Sequence, residues 1–139
     1  MLTSLGLASL GLLLVRLVFG LTFAAHGAQK LFGWFSGHGI EGTGRFFESI
    51  GIKPGRPLAA LAGAGELLSG LLFAAGLLTP LAALGMVGVM LVAMKTVTGK
   101  NGYWITANGA EYCVAILTVA LSVALTGPGS YALDALLHR

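Results

Sequence analysis

The sequence is poor in charge, in cysteine and in histidine, and each shortage removes a class of proteins. Of its 139 residues, 9% are Asp, Glu, Lys or Arg and 56% are hydrophobic. Soluble domains carry about a quarter charged residues, so this inventory is too small to clothe a water-facing surface. A large soluble enzyme and a disordered regulator are both excluded. The net charge of +3 is scattered over single positions, with no basic cluster to follow a phosphate backbone, so nucleic acid is not a partner. The one cysteine, Cys113, permits neither an intramolecular disulfide nor a CxxC pair. It reads as a small buried hydrophobe, and electron transfer through paired thiols of this chain is excluded. His26, His38 and His138 give no i,i+4 pair and no two at a common depth, which argues against a bis-histidine haem. A nucleotide fingerprint, a phosphate loop and acids paired for hydrolysis are missing too.

What the chain does have is long apolar stretches. The sequence predicts membrane spans at about 5–26, 57–78, 80–98 and 108–126, each near the ~20 residues that cross ~30 Å of hydrocarbon. The first lacks a basic leader, is longer than the usual 7–15-residue core of a cleaved signal, and contains Arg16, so it reads as a retained span. Strand-like alternation is absent, and backbone groups in lipid must pair internally, so the spans are helices. Pro80 suits the first turn of the third span, and Gly127-Pro128-Gly129 stops the fourth. Within the long connection at 26–56, residues 44–50 read as a short interfacial helix with aromatic anchors at Phe46 and Phe47. No period of 20–50 residues repeats, which excludes a solenoid. The expected fold is all-α: an integral membrane four-helix bundle forming a single membrane domain over 1–139, multi-pass in the cell membrane and in contact with the lipid bilayer.

Small residues crowd the second and third spans, among them Gly63, Gly65, Ser69, Gly70, Gly85 and Gly88. They point to close helix packing inside the bundle, with homo-oligomerisation as the alternative. Lys30, Arg45, Lys53, Arg56, Lys95 and Lys100 lie on the side of the two long connections, against Arg139 on the other. The positive-inside rule places those connections in the cytoplasm.

Charges at membrane depth carry the functional signal, because an ionised group there persists only when it faces the bundle interior with a partner. Counting from His26 and Pro57 puts Arg16 and Glu66 at nearly the same level, ~14–15 Å from one face, and predicts an ion pair between them. From Arg16, the residues Gly20, Phe23, Gly27 and Lys30 share a helix face, with His26 nearby. On the fourth span Glu111, Ala115, Thr118 and Ser122 form a second stripe, with Asn108 beside it and Lys95 closing the third span on the same side. The predicted result is a polar funnel whose candidate binding residues are Arg16, His26, Lys30, Glu66, Lys95, Asn108 and Glu111. Phe32, Trp34, Phe35, Tyr103 and Trp104 rim its mouth, or form an interfacial belt. A metal site is not expected, since Glu66 and Glu111 each have a nearer cation.

Several of these residues also form a recognisable combination. Arg16, Gly20 and Phe23 lead into His26-Gly27-Ala28-Gln29-Lys30-Leu31, and Phe46-Phe47 precedes Gly51-Ile52. Gly65-Glu66 and Gly70 are followed by Gly76-Leu77-Leu78-Thr79-Pro80, and Asn108-Gly109-Ala110-Glu111 opens the fourth span. The tail Gly127-Pro128-Gly129-Ser130-Tyr131-Ala132-Leu133-Asp134 completes the set. The chain resembles the DoxX family of small four-span membrane proteins. That resemblance implies a redox setting: relatives include a thiosulfate:quinone oxidoreductase subunit, and others are associated with thiol-oxidant defence or quinone detoxification. The expectation is an oxidoreductase subunit that is not an autonomous enzyme, with no covalently bound cofactor, a quinone as substrate and a protein redox partner. The alternative is a non-enzymatic membrane anchor or assembly partner, or a small permease.

Overall fold

The structure, a computed structural model, describes residues 3–137, and every regular element within them is helical. His138 and Arg139 lie outside the described residues. Thr3 opens α1 (Ser4–Phe32) by accepting a hydrogen bond from the Gly6 amide at 3.1 Å, and Gly33 closes it in the left-handed region at φ 74°. A connection leads to α2 (Gly39–Ser49), which lies across the start of α3 (Gly55–Ala75). Gly76 turns the chain at φ 69°, and α4 (Thr79–Ala93) follows with Pro80 in its first turn. α4 runs on into a π-helical turn, Met94–Thr98, and a 3-10 turn, Gly99–Asn101. A second 3-10 turn, Ile105–Ala107, precedes α5 (Glu111–Thr126), and a short α6 (Leu133–Leu137) ends the described chain.

Three helical stretches, Ser4–Phe32, Gly55–Ala75 and Thr79–Asn101, are long and apolar enough to cross a membrane, and Glu111–Thr126 is a shorter apolar helix. This is a multi-pass membrane protein built as a helical bundle. α1 packs chiefly on α3, α3 on α4 and α4 on α5, with a lighter contact between α1 and α5. Phe23, Phe73, Met86, Met90, Ile116 and Val123 fill the centre.

Glycines at seven-residue spacing let α1 and α3 touch backbone to backbone. A Cβ on Gly20 would fall 2.7 Å from the Gly70 carbonyl oxygen, and one on Gly27 would fall 2.6 Å from that of Gly63. Lipid gives helices no hydrophobic drive to associate, so close van der Waals approach supplies the attraction instead. Gly65 takes no part, since a Cβ there meets nothing within 4 Å.

This register corrects the expected Arg16–Glu66 pair. Gly20 sits between Gly70 and Ala74, so Arg16, one turn earlier on an antiparallel helix, reaches the end of α3 rather than its middle. α1 continues past His26 to Phe32, and α3 begins at Gly55 rather than Pro57. The contacts of Gly20 with Gly70 and Ala74, and of Gly27 with Gly63 and Leu67, slide the two helices by about ten residues, ~15 Å, relative to the predicted alignment.

Arg16 is fully buried, and its partners come from the last turn of α3 and the segment after α5. Its Nη1 donates to the Ala74 carbonyl at 3.0 Å and its Nη2 to the Tyr131 carbonyl at 2.9 Å. The Asp134 carboxylate supplies a nearby negative charge. Asp134 also accepts hydrogen bonds from the Leu78 and Thr79 amides, both at 2.8 Å, and its own amide donates to Gly76 O at 2.8 Å. It thus caps the start of α4 from a remote segment, placing negative charge at a helix N-terminus. Ser9 extends this staple, accepting from the Ser130 amide at 3.1 Å.

Candidate functional site

A cavity of about 800 Å³ lies in the half of the bundle away from Arg16. α1 contributes Phe23, His26 and Lys30, α3 contributes Leu58, Leu61, Ala62 and Glu66, and α5 contributes Tyr112 and Cys113. Its far wall is α4 with the π-helical turn, from Gly88 to Thr98, and Phe46, Phe47 and Ile52 roof it from the α2 segment. The π turn re-aims the end of α4, a device common at functional sites. It brings Thr96, Val97 and Thr98 onto the wall.

The walls are apolar and the polar groups cluster. Lys30 Nζ lies 2.9 Å from Glu66 Oε1 and 3.0 Å from Oε2, a two-oxygen contact. The Glu66 side chain is 4% exposed and that of Lys30 25%, so the carboxylate is the deeper partner. The register of α1 on α3 makes this pair, because Gly27 and Gly63 bring the Lys30 stem over α3. The His26 ring lies against Tyr112, centroids 5.3 Å apart at 50°. The Tyr112 hydroxyl is buried without a hydrogen-bond partner among the described residues. The Cys113 thiol, 3.6 Å from Thr98 Oγ1, is buried at the cavity edge.

The pair has a measurable signature. Lys30→Met leaves the Glu66 carboxylate buried and unpartnered, and its expected cost is about 3–5 kcal/mol, whereas Lys30→Met/Glu66→Leu recovers most of that loss. Thermal unfolding in detergent checks this, and a double variant no more stable than the single one contradicts it.

Of the seven sequence-predicted binding residues, the structure brings His26, Lys30 and Glu66 together on this cavity. Arg16 is tied instead to the Tyr131 carbonyl. Glu111 accepts from the Ile105 amide at 2.7 Å, and Asn108 is an exposed turn residue at φ 57°. Both shape the loop before α5. Lys95 is exposed on the π turn. The stripe Ala115, Thr118 and Ser122 points outward, and the buried face of α5 is Cys113, Ile116, Ala120 and Val123. The rim aromatics are displaced as well: Trp34 and Phe35 line a separate shallow groove of about 260 Å³ with Leu21 and Leu67. Tyr112 was missed, although it neighbours Glu111 one helical step, about 100°, around the axis. Among the described residues, no three His, Cys, Asp or Glu side chains converge on a metal position.

The DoxX family profile matches residues 11–99, a segment that contains α2, α3, α4 and nearly all of the cavity. The chain belongs to the DoxX family. Two relatives extend the match over 90% of this chain. "Uncharacterized membrane protein Rv3486" of Mycobacterium tuberculosis is 33% identical over 135 residues, 80% of its own length. "Putative oxidoreductase CatD" of Bacillus subtilis is 33% identical over 125 residues, 85% of its own length. No solved structure matches. Within this DoxX protein the tail from Gly127 to Asp134, beyond the matched segment, serves Arg16 and the α4 cap.

Proposed function

We propose that this DoxX protein is a redox-linked membrane subunit whose cavity takes a quinone-type headgroup as substrate. The observation that carries the reading is the charged end of a mostly apolar chamber: the Lys30–Glu66 pair and His26 line one volume with Tyr112, whose buried hydroxyl has no partner among the described residues. A volume of about 800 Å³ falls in the range of sites for small organic ligands. Convergent donors in apolar walls are the usual means of orienting such ligands. A relative named as an oxidoreductase gives the redox setting.

The chemistry is two-electron reduction. A quinone accepts two electrons and two protons to become a hydroquinone. Lys30 donates a hydrogen bond to a carbonyl oxygen, and Glu66 relays protons through it. The electrons come from a partner protein or a diffusible reductant, which makes this chain a subunit rather than an independent catalyst. Deep within the bundle, fixed donors act more strongly on developing oxygen charge than they would in water.

The test is calorimetric titration of decylubiquinone into protein reconstituted in lipid nanodiscs. Saturable binding is expected. Lys30→Met/Glu66→Leu is expected to retain the fold and weaken binding at least tenfold. Absence of binding, or unchanged affinity in the folded double variant, overturns the reading and leaves an anchoring role.

A further inference from the structure

α3 and α4 form an antiparallel hairpin, and the gap between them changes along its length. Near the turn they are closed: a Cβ on Gly85 would run into the Ser69 side chain. One turn further from the hairpin, at Gly88 of α4, a Cβ meets nothing within 4 Å, and Gly88 lines the same cavity as Glu66 of α3. Beyond it, Leu61 and Val92 line the cavity while remaining 70% and 59% exposed. The cavity therefore reaches the outer surface between the two helices, through a window whose apex is Gly88.

The depth of this window identifies what lies outside it. Gly88 is nine residues into the stretch Thr79–Asn101, ~13 Å along a helix at 1.5 Å per residue. That is close to the middle of a ~30 Å hydrocarbon layer. From there to the roof formed by Phe46 and Phe47 of α2, the window faces acyl chains rather than water.

Resting on the quinone reading, we infer that the cavity is loaded sideways from the bilayer by a molecule with a long hydrocarbon tail. Its headgroup passes between α3 and α4 to reach Lys30, Glu66 and Tyr112. Its tail stays in the window, against Ala62, Gly88 and Val92. The Tyr112 hydroxyl, buried without a hydrogen-bond partner among the described residues, donates to a headgroup oxygen. An amphiphile fits because the Glu66 carboxylate is deep in the cavity and Leu61, Ala62, Gly88 and Val92, on the side of the bilayer, are apolar. A water-borne quinone without a tail gains nothing from the window.

Gly88→Leu tests this, because a Cβ there meets no atom within 4 Å, and leucine favours a helix more than glycine does. Gly11→Leu, also in open space on the exposed part of α1, is the control. In nanodiscs, Gly88→Leu is expected to weaken decylubiquinone at least tenfold and to change the affinity of the tail-less ubiquinone-0 less than twofold. Gly11→Leu is expected to change neither, and size-exclusion profiles are expected to match the parent for both variants. Unchanged decylubiquinone affinity in Gly88→Leu overturns lateral loading while leaving the quinone reading in place. So does equal affinity of the parent protein for the two quinones. Failure of the parent to bind either quinone overturns both.

Discussion

Gly27→Leu is expected to abolish the folded protein. The α1 and α3 backbones meet at this position, and a Cβ alone would come within 2.6 Å of the Gly63 carbonyl oxygen. Side chains can rotate away from an intruder, but the opposing atoms here belong to a helix backbone. The expected cost exceeds ~3 kcal/mol, above the usual range for overpacking between side chains. Separating α1 from α3 also pulls Lys30 from Glu66. Gly65→Leu, on α3 but facing open space, is expected to leave the folded yield unchanged. Fluorescence-detected size exclusion after mild solubilisation reads both variants. A monodisperse Gly27→Leu peak at the parent's yield would refute the backbone contact.

Arg16→Ala is expected to have the second large effect, about 3–5 kcal/mol of destabilisation, because it removes a fully buried side chain and both hydrogen bonds of its charged donor. The carbonyls of Ala74 and Tyr131 lose their donor, and Asp134 loses its nearby positive charge. Arg16→Lys is expected to rescue only part of this, since one ammonium on a flexible stem does not reproduce a planar fork aimed at two carbonyls. Asp134→Ala is expected to cost about 1 kcal/mol or more through the lost α4 cap. The checks are the thermal midpoint and the rate of limited proteolysis between 127 and 137. Both are expected to shift most in Arg16→Ala. Proteolysis of Arg16→Ala at the parent's rate would show that the guanidinium does not hold the tail.

The inward face of α1 was legible from the residues alone. Arg16, Gly20, Phe23, Gly27 and Lys30 share a stripe, and neither a charge nor a run of glycines makes sense against lipid. Four of these five are buried, and Lys30 is half-buried on the cavity. Their partners were not legible, because pairing depends on the register between helices. The register set by the Gly20–Gly70 and Gly27–Gly63 contacts, together with the reach of the lysine stem, exchanges Arg16 for Lys30 as the partner of Glu66.

The α5 stripe failed for a different physical reason. In water, polar residues mark the outer face of a helix, whereas in a bilayer both faces are apolar and the rule loses its contrast. Thr118 satisfies its own hydroxyl on the Val114 carbonyl at 2.8 Å, so it stands on the outside at little cost. Glu111 belongs to its loop because the chain turns back through Asn108 just before it. Such local closure leaves no mark on the periodicity. The Gly88 window was hidden for the same reason: a glycine that seats a neighbour and a glycine that leaves a gap look alike in one dimension.

The staple around Arg16 has a consequence for biogenesis. The guanidinium belongs to the first transmembrane segment, and one of its acceptors lies 115 residues later. During synthesis that cation enters the insertion machinery long before Tyr131 and Asp134 have left the ribosome. The first segment must therefore wait with an unquenched charge, held by the translocon, by water or by an insertase. The bundle becomes a closed object only once Tyr131 and Asp134 have docked.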